Sequence, residues 1–591
     1  MEAKIIVHRS HNKFYYYYQK SYRVKNDPKD KKCKQSGKAK VKTDSVFLGT
    51  ADAILEKCQN FDKPKKSLVF NYGLPLALYS VAQEIGLISI INSVCPEKIK
   101  NISIGEYIFI AAANRVGHHH SKESIKNWLK KTKLPEIMRI DCSDLSSKTF
   151  WKAFNTIIPQ KVIEEKMDEF SQRLKNRMSY KEKEEYLSEK LISQIEYKLY
   201  HQLIKQYNIT SDTLIYDTTN FYHNISSTNE RCIIPQTAKS KDGKNSNRLT
   251  GFLLAVDREF GFPLVYSIYQ ANQHDCSLFP DAINEITRRM SKIVKNLEGY
   301  TIVFDKGNNS KKNIESITSN GLIKSFVGSL CFSMMKSIAN IPIKQYMNEY
   351  NKWRYMELEK EVFDKKAKIV VCYSEKEKEH QLNSFNKKIK EIASKLHTLI
   401  GSIKKPSEEK IKTKIDEFLQ KNKIKSSRAK RYITYVIEKN NNEFTVKFQK
   451  STEAYKKQKT FGKQILFTYD FEIPSEQIIQ LYHDKYKIET AFRDLKKGDI
   501  VNYTPMYHWT DSKIRVQSFV NIIAYLLIKI IEMKIRKTGD HLSLLSAMEI
   551  LDDIKEVVMV YSKNKYVKKV SYPSGFHSKI AQTLDLEKYE K

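Results

Sequence analysis

The sequence predicts an α/β fold, and three segments carry this prediction. The runs TLIYD and YTIVFD are short, apolar and rich in β-branched or aromatic residues, as is typical of buried strands. LFPDAINEITRRMSKIVKNL, which lies between them, has apolar residues at helical spacing, so strands and helices alternate. Asp217 and Asp305 end the two runs, and the carboxyl ends of strands in such a sheet face a common crevice.

The first 65 residues are predicted to form a small β-hairpin region that is basic and rich in aromatic residues. KFYYYYQKSYR has the composition of one strand, and SVFLGT that of the returning strand. The segment NDPKDKKCKQSGKAKVKTD is a turn-rich basic loop. This hairpin has two possible roles: it contacts a polyanion, or it only packs on the core.

Residues 66–206 are predicted to be a helical domain. NYGLPLALYSVAQEIGLISIINSV carries apolar residues at helical spacing, and SKESIKNWLKKT begins with Ser121 as a candidate N-cap. Residues 207–330 contain the strand-like runs and form the first part of the α/β core.

Residues 331–470 interrupt this pattern and are expected to be an insertion. YMNEYNKWRYMELEKEVF and the charged run YSEKEKEHQLNSFNKKIKEIASKLHTLIGSIKK are expected to form solvent-facing helices. RYITYVIEKNNNEFTVKFQK predicts a β-hairpin with an Asn-rich turn.

Residues 471–540 are predicted to complete the core, with one helix over 475–497. At 100° per residue, with Tyr482 at zero, Lys485, Glu489 and Lys496 fall at about −60°, −20° and −40°. The four side chains therefore share one stripe beside an apolar face.

The most apolar late segment, FVNIIAYLLIKIIEMKI, is interrupted by Lys529 and is too short to span a membrane. It is predicted to be a buried core helix. Residues 541–591 are expected to be a basic C-terminal tail region.

The net charge of the chain indicates the class of molecule that it binds. The chain has 103 Lys and Arg against 68 Asp and Glu, a net charge of +35 that is spread along its whole length. This distribution favours a nucleic-acid partner, although a Lys-rich composition that serves only solubility would look similar.

The eight cysteines form no CxxC pair, which argues against structural zinc and a secreted disulfide framework and favours the cytosol. The N-terminus lacks the apolar block of a signal peptide, so no membrane partner is expected.

Asp217, Asp305 and Glu489 are the candidate catalytic and metal-binding residues. Hard cations prefer oxygen ligands, so three carboxylates suit Mg²⁺. Two such ions about 3.5–4 Å apart activate an oxygen nucleophile and stabilise a departing 3′ oxygen. We expect Asp217 to bridge the ions, with Asp305 completing one site and Glu489 the other. In a chain this basic, the expected substrate is a nucleic-acid phosphate.

The spacing Tyr482-x2-Lys485-x3-Glu489-x6-Lys496 resembles the Y-x2-R-x3-E-x6-K signature of DDE transposases from bacterial and archaeal insertion sequences, the insertion-sequence-four superfamily. IYDTTNFYH and VFDKGNNS resemble the blocks around the first and second aspartates of that family. PMYHWTDSKIRVQSFVNIIAYLL resembles the segment after its glutamate helix. These blocks follow the family order through most of the chain.

This resemblance implies a ribonuclease H-like catalytic core with a β-rich insertion domain. It also implies a transposase that cleaves DNA at the ends of an insertion sequence and joins the 3′-OH ends to target DNA. The implied cofactors are two Mg²⁺ ions, for which Mn²⁺ can substitute. The implied partners are double-stranded DNA, as terminal inverted repeats and target, and a second copy of the chain in a synaptic homodimer.

The region 66–206 is a candidate domain for binding DNA ends and for multimer contacts, and a plain helical lid is equally open. The resemblance places the protein in the prokaryotic cytoplasm, at the nucleoid. The DNA-binding residues that we expect are Tyr482, Lys485, Lys496, Lys306, Arg493, Lys241 and His508.

Two positions depart from the family pattern. Lys485 and Lys306 stand where the family usually has arginine, and lysine lacks the planar fork that grips a phosphate with two hydrogen bonds. For Lys241 and His508 a structural role is equally open. Two other functions remain: a decayed or repurposed DNA-binding protein, and a ribonuclease H-like metal-dependent nuclease that performs no strand transfer.

Overall fold

The computed structural model describes residues 2–24, 40–59, 64–117, 119–158, 190–209, 212–226, 228–229, 232–238, 248–273, 275–294, 298–403, 407–421, 429–440, 443–496, 498–562 and 565–590. The chain divides into two compact units. One unit comprises Met1–Phe70 with Lys555–Ser571, and the other comprises Asn71–Ile554 with Tyr572–Lys591.

The described residues contain both strands and helices. The strands are β1 Glu2–Ser10, β2 Lys13–Val24, β3 Lys40–Thr50, β4 Lys66–Asn71, β5 Lys98–Ile99, β6 Ile102–Ser103, β7 Thr213–His223, β8 Gln236–Thr237, β9 Arg248–Asp257, β10 Pro263–Gln270, β11 Tyr300–Val303, β12 Ile323–Ser329, β13 Asn348–Tyr350, β14 Trp353–Val362, β15 Lys365–Tyr373, β16 Ile433–Asn440, β17 Glu443–Lys450, β18 Lys463–Thr468, β19 Lys555–Ser562 and β20 Lys565–Ser571.

The α-helices are α1 Ala51–Gln59, α2 Gly73–Glu84, α3 Leu87–Val94, α4 Ile104–Ala113, α5 Ile125–Leu129, α6 Leu134–Met138, α7 Ser147–Ile157, α8 Lys190–Tyr207, α9 Asp275–Ile293, α10 Lys311–Thr318, α11 Lys336–Ala339, α12 Glu375–Gly401, α13 Glu408–Lys421, α14 Ala429–Tyr432, α15 Thr452–Gln458, α16 Ser475–His483, α17 Tyr486–Lys496, α18 Asp511–Lys537, α19 Leu544–Asp553 and α20 Gly575–Thr583. Short 3₁₀ turns cover Cys142–Asp144, Lys306–Asn308, Ile343–Gln345 and Leu586–Tyr589.

The smaller unit contains the predicted N-terminal hairpin. β2 and β3 pair antiparallel, which confirms the two predicted strands. The sequence analysis missed β1, which also pairs antiparallel with β2. His11 and Asn12 join β1 to β2 with φ of 48° and 59°, the backbone of a tight two-residue hairpin turn. Residues 26–39 of the predicted basic loop lie outside the described residues, and its last five residues, 40–44, are not loop but the start of β3.

The larger unit is built on one ten-stranded sheet, which confirms an α/β architecture. Its strand order is β10-β9-β7-β11-β12-β18-β15-β14-β13, and β8 pairs with β9. β11 runs parallel to both β7 and β12, whereas β9 and β10 form an antiparallel extension beside β7. Three parallel strands in the middle of the sheet therefore run toward the same edge, and β7 extends beyond the other two.

Residues 331–470, the expected insertion, contribute β13, β14, β15 and β18 to this same sheet. The helix expected for YMNEYNKWRYMELEKEVF is wrong, because this segment forms β13 and β14. Its Glu and Lys residues favour helix intrinsically. Pairing of β14 with β13 and β15 overrides that preference and leaves the charged side chains on an exposed face.

A second part of the insertion has a small apolar core of its own. The charged run after β15 forms α12, and β16 and β17 form an antiparallel hairpin, as predicted. Apolar residues of α12, α13 and the hairpin pack together. The buried members of this cluster are Ile392, Leu396, Ile411, Ile415, Ile433 and Val446.

The helix α18 lies buried in the larger unit, as predicted for the late apolar segment. It begins at Asp511 and runs for 27 residues, so it is longer than the apolar run that predicted it. Its length and composition would allow a membrane span, but its apolar stretch is entirely buried inside the protein. The region 541–591, expected as a tail, instead forms α19, β19, β20 and α20.

Candidate active site

The register of the parallel strands brings Asp217 and Asp305 together. Val303 pairs with Ile215, so Asp217 and Asp305 each lie two residues further along neighbouring strands. Residues two apart face the same side of a sheet, and neighbouring strands are about 4.8 Å apart. β11 ends at Val303 while β7 continues to His223, so Asp217 lies inside its strand and not at its end as expected.

Both aspartates are held by the backbone that follows them. Asp217 Oδ1 accepts a hydrogen bond from the Thr218 N–H at 2.8 Å. Asp305 Oδ1 accepts one from the Lys306 N–H at 2.8 Å, where the 3₁₀ turn begins. These bonds fix the direction of each carboxylate before any ligand binds.

The late helix predicted over 475–497 is two helices, α16 and α17, joined at Asp484 and Lys485. The Lys485, Lys487 and Ile488 N–H groups bond to carbonyls three residues earlier, which is 3₁₀ geometry. Arg258 holds the junction through an ion pair of 2.7 Å with Asp484. This long-range contact was not readable from local periodicity.

This junction changes the relative positions of Tyr482, Lys485 and Glu489, which were predicted to lie on one face of a single helix. Residues three apart eclipse in 3₁₀ geometry, so Lys485 lies beneath Tyr482 and both reach Asp305. Lys485 Nζ lies 3.3 Å from Asp305 Oδ2 and 3.7 Å from Glu489 Oε1. The Tyr482 hydroxyl lies 3.2 Å from Asp305 Oδ1 and 2.8 Å from Ser329 Oγ.

The structure thus gathers Asp305, Tyr482, Lys485 and Glu489, and α17 packs against β7, the strand of Asp217. Burial alone would raise the pKa of Asp305. The Lys485 ammonium and the Lys306 N–H outweigh it, so the pKa of Asp305 lies below its ordinary value. Burial, then the Asp305 charge, raises the pKa of Tyr482 and keeps its hydroxyl protonated.

Ser329 is a site residue that the sequence analysis missed. It ends β12, the strand beside β11, so the rule that pointed to Asp217 and Asp305 also points to it. Its backbone carbonyl accepts a hydrogen bond of 2.6 Å from the Asn309 side chain.

The other expected DNA-binding residues fall into three groups. Lys306 is exposed in the turn after Asp305, and Arg493 is exposed on α17, one turn beyond Glu489. Lys496 is half-buried at the last residue of α17. His508 is buried in a different cluster with Lys122, and Lys241 lies outside the described residues.

The donor set at this site suits a hard divalent cation. Within the described parts of the chain, no three His, Cys, Asp or Glu side chains surround one point. The Lys485 ammonium lies between Asp305 and Glu489. A Mg²⁺ ion needs only one or two carboxylates and takes its remaining ligands from water and phosphate oxygens. Asp217, Asp305 and Glu489 therefore fit such an ion in chemistry.

The comparisons with known proteins bear on the same region. A family model described as "Transposase DDE domain" matches residues 210–527, which include Asp217, Asp305 and Glu489. No curated protein matches the chain. Among solved structures, a match described as "Cryo-EM structure of piggyBac transposase synaptic complex with hairpin DNA (SNHP)" is 11% identical, with a TM-score of 0.36, and covers 83% of this chain and 82% of that one.

Proposed function

The chain belongs to the transposase DDE domain family, and from this premise we propose that it cleaves phosphodiester bonds at the ends of an insertion sequence and joins the 3′-OH ends to target DNA. One observation carries the proposal. Lys485 forms ion pairs with both Asp305 and Glu489, and the register of β7 and β11 puts Asp217 next to Asp305. The proposal includes a ribonuclease H-like core of the insertion-sequence-four type.

In this proposal Asp217, Asp305 and Glu489 would hold two Mg²⁺ ions, and Mn²⁺ could replace them. Such ions would supply Lewis-acid activation of an oxygen nucleophile and charge stabilisation for the departing 3′ oxygen. The lowered pKa of Asp305 keeps this ligand ionised at neutral pH, as a metal ligand must be.

The remaining residues of the site position the substrate. Lys485 lies between Asp305 and Glu489, where its ammonium would meet a phosphate that enters the site. Lys306 and Arg493 are exposed at its rim and provide further positive charge for the DNA backbone. Tyr482, fixed by Ser329, offers a ring for a terminal nucleotide.

The partner in this proposal is double-stranded DNA, bound by two copies of the chain that bring two element ends together at the nucleoid. The net charge of +35 supports a polyanion partner. Two alternatives give different results in a cleavage assay. A decayed protein would bind DNA without cutting it, and a nuclease would cut without joining.

The decisive experiment incubates purified protein and Mg²⁺ with the DNA that flanks its own gene. Wild type should cut at discrete ends and join them to target DNA. Asp217→Asn should lose at least roughly 10³-fold in cleavage rate, because metal ligation is worth several kcal/mol at the transition state. Asp52→Asn, which alters an exposed carboxylate of α1, is the control. Normal cutting by Asp217→Asn would overturn the proposal.

A further inference from the structure

A second group of charged side chains lies outside the carboxylate site. Arg115, Lys122, His508 and Lys513 come from separate segments and meet around aromatic rings; we call them the buried cationic cluster. Lys122 Nζ lies 3.0 Å from His508 Nε2 and 3.9 Å from the centre of the Phe154 ring.

The same aromatic wall serves two of these cations. The ammonium groups of Lys122 and Lys513 lie 5.5 Å and 5.4 Å from the centre of the Trp151 ring. The Lys513 ammonium also donates to the Asn155 side chain, and Arg115 donates to the Asn502 carbonyl at 3.0 Å. The partners of these cations are thus aromatic rings, the His508 imidazole, an amide and a carbonyl.

No carboxylate of the described residues lies within ion-pair distance of Arg115, Lys122 or Lys513. Burial, reinforced by the charges of Arg115 and Lys513, holds the pKa of Lys122 well below its ordinary value. Burial also lowers the pKa of Lys513 to about 8 and that of Arg115 to about 10. Keeping these basic groups charged and close together therefore costs free energy, and a bound anion would lower that cost.

Arg115 and Lys122 form the accessible side of the cluster, whereas Lys513 is fully buried and His508 is only 8% exposed. Arg115, Lys122 and Trp151 are half-buried, and the neighbouring Trp509 and Tyr507 are 40% and 67% exposed. Arginine and lysine are the usual ligands of phosphate, and exposed aromatic rings beside them accept bases or sugars by stacking.

The position of the cluster suits DNA held at the carboxylate site. The Asn224 N–H donates to the Met506 carbonyl, so the segment that leads to His508 lies beside the far end of β7. Asp217 and His223 are six residues apart on this strand, or roughly 20 Å at about 3.4 Å per residue. That span equals about six nucleotides of a duplex strand.

We propose that the buried cationic cluster binds a backbone phosphate of the DNA substrate, at a site separate from the carboxylates. This inference rests on the proposed function, because it takes DNA as the source of the phosphate. Inorganic phosphate offers the same chemistry, so the experiment must separate the two sources.

The test measures affinity for a short DNA duplex in the presence of a chelator, at several salt concentrations, with the full chain. Lys122→Met should lose about tenfold in affinity. It should also reduce the slope of log affinity against log salt by about 0.9. The control Lys130→Met alters an exposed lysine just after α5 and should change affinity far less.

Melting temperatures in inorganic phosphate give a second measurement. Phosphate should raise the melting temperature of wild type and of Lys130→Met more than that of the cluster variants, because a ligand stabilises the folded state that binds it. Lys122→Gln is a second variant that removes the charge but keeps a hydrogen-bond donor for His508. It should behave like Lys122→Met.

Two results would overturn the inference alone: cluster variants that bind the duplex as Lys130→Met does, or a phosphate effect without any loss of duplex affinity. The second would mean that the cluster binds the free ion. If wild type shows no salt-dependent duplex binding, the proposed function fails as well, which distinguishes the two failures.

Discussion

The carboxylate site and the buried cationic cluster hold charge in opposite ways. At the carboxylate site, Lys485 lies between Asp305 and Glu489, so each negative group has a cation close by. In the buried cationic cluster, Lys122 has His508 and aromatic rings as neighbours, and the nearby charges that act on it are positive. The first arrangement is largely neutralised within the protein, whereas the second is not.

This difference shows in the direction of the pKa values. Burial works against ionisation at both places. At Asp305 the Lys485 ammonium outweighs burial and the pKa falls below its ordinary value, which favours the charged carboxylate. At Lys122 and Lys513 burial is not opposed and the pKa also falls, which disfavours the charged ammonium. An added anion therefore gains more free energy at the second site, where no carboxylate in the described part of the chain neutralises the cations.

A third region supplies a reference in which buried charges are fully paired. Arg289, on α9, forms ion pairs of 2.9 Å with Glu196 and 2.5 Å with Glu285, and all three side chains are buried or nearly so. Burial would raise the pKa of Glu285, but Arg289 and Arg288 lower it below its ordinary value.

The largest expected effect separates the two sites by function. On the proposed function, in which Asp305 is a metal ligand, Asp305→Asn should lower the cleavage rate by at least roughly 10³-fold. Its affinity for DNA should stay equal or rise, because a negative charge near the phosphate is gone. Cleavage and binding assays on the same DNA check both. Weaker DNA binding by Asp305→Asn would contradict the division of labour between the sites.

The next effect concerns stability. Arg289→Met should lower the free energy of unfolding by about 3 kcal/mol, because it removes the buried cation that pairs with both Glu196 and Glu285, while Glu285 keeps its pair with Arg288. Lys122→Met should leave the free energy of unfolding unchanged or raise it, because it removes a buried cation that lacks a carboxylate. Urea denaturation of both variants measures this contrast. Equal losses would show that the cluster is as well paired as the Arg289 region.

A smaller effect tests the link between Lys485 and Asp305. Lys485→Met should raise the pKa of Asp305, because burial is then opposed mainly by the Lys306 N–H and charge. Carbon NMR of the labelled carboxyl group follows this titration. Lys306→Met is the matched control and should raise the pKa less, since its charge contributes less than that of Lys485. A larger rise in the control would refute the assignment.

Another effect is a pH dependence of stability. The pKa of Lys513 is about 8 in the folded protein, below its ordinary value of 10.5, and Lys122 faces it as another cation. The folded state therefore binds fewer protons than the unfolded state between these pH values, so stability should rise with pH across that window. The difference in free energy of unfolding between wild type and Lys513→Met should show this rise. A flat difference would place Lys513 in a solvated environment.

Much of the fold was predictable because its signals are local. The apolar runs that end at Asp217 and Asp305, the hairpin strands β2 and β3, and the buried helix α18 follow from periodicity and residue type. β14 was mispredicted because its Glu and Lys residues favour helix, while its strand state depends on partners elsewhere in the chain.

Residue identity and spacing are enough to identify the three carboxylates, the basic character of the chain and the resemblance to DDE transposases. Packing in three dimensions places Lys485 between Asp305 and Glu489, where an ion pair between Arg258 and Asp484 holds the helix junction. Packing alone also gathers the buried cationic cluster, whose members are separated by up to nearly four hundred residues. Periodicity acts over a few residues, whereas strand register and packing join segments across the whole chain.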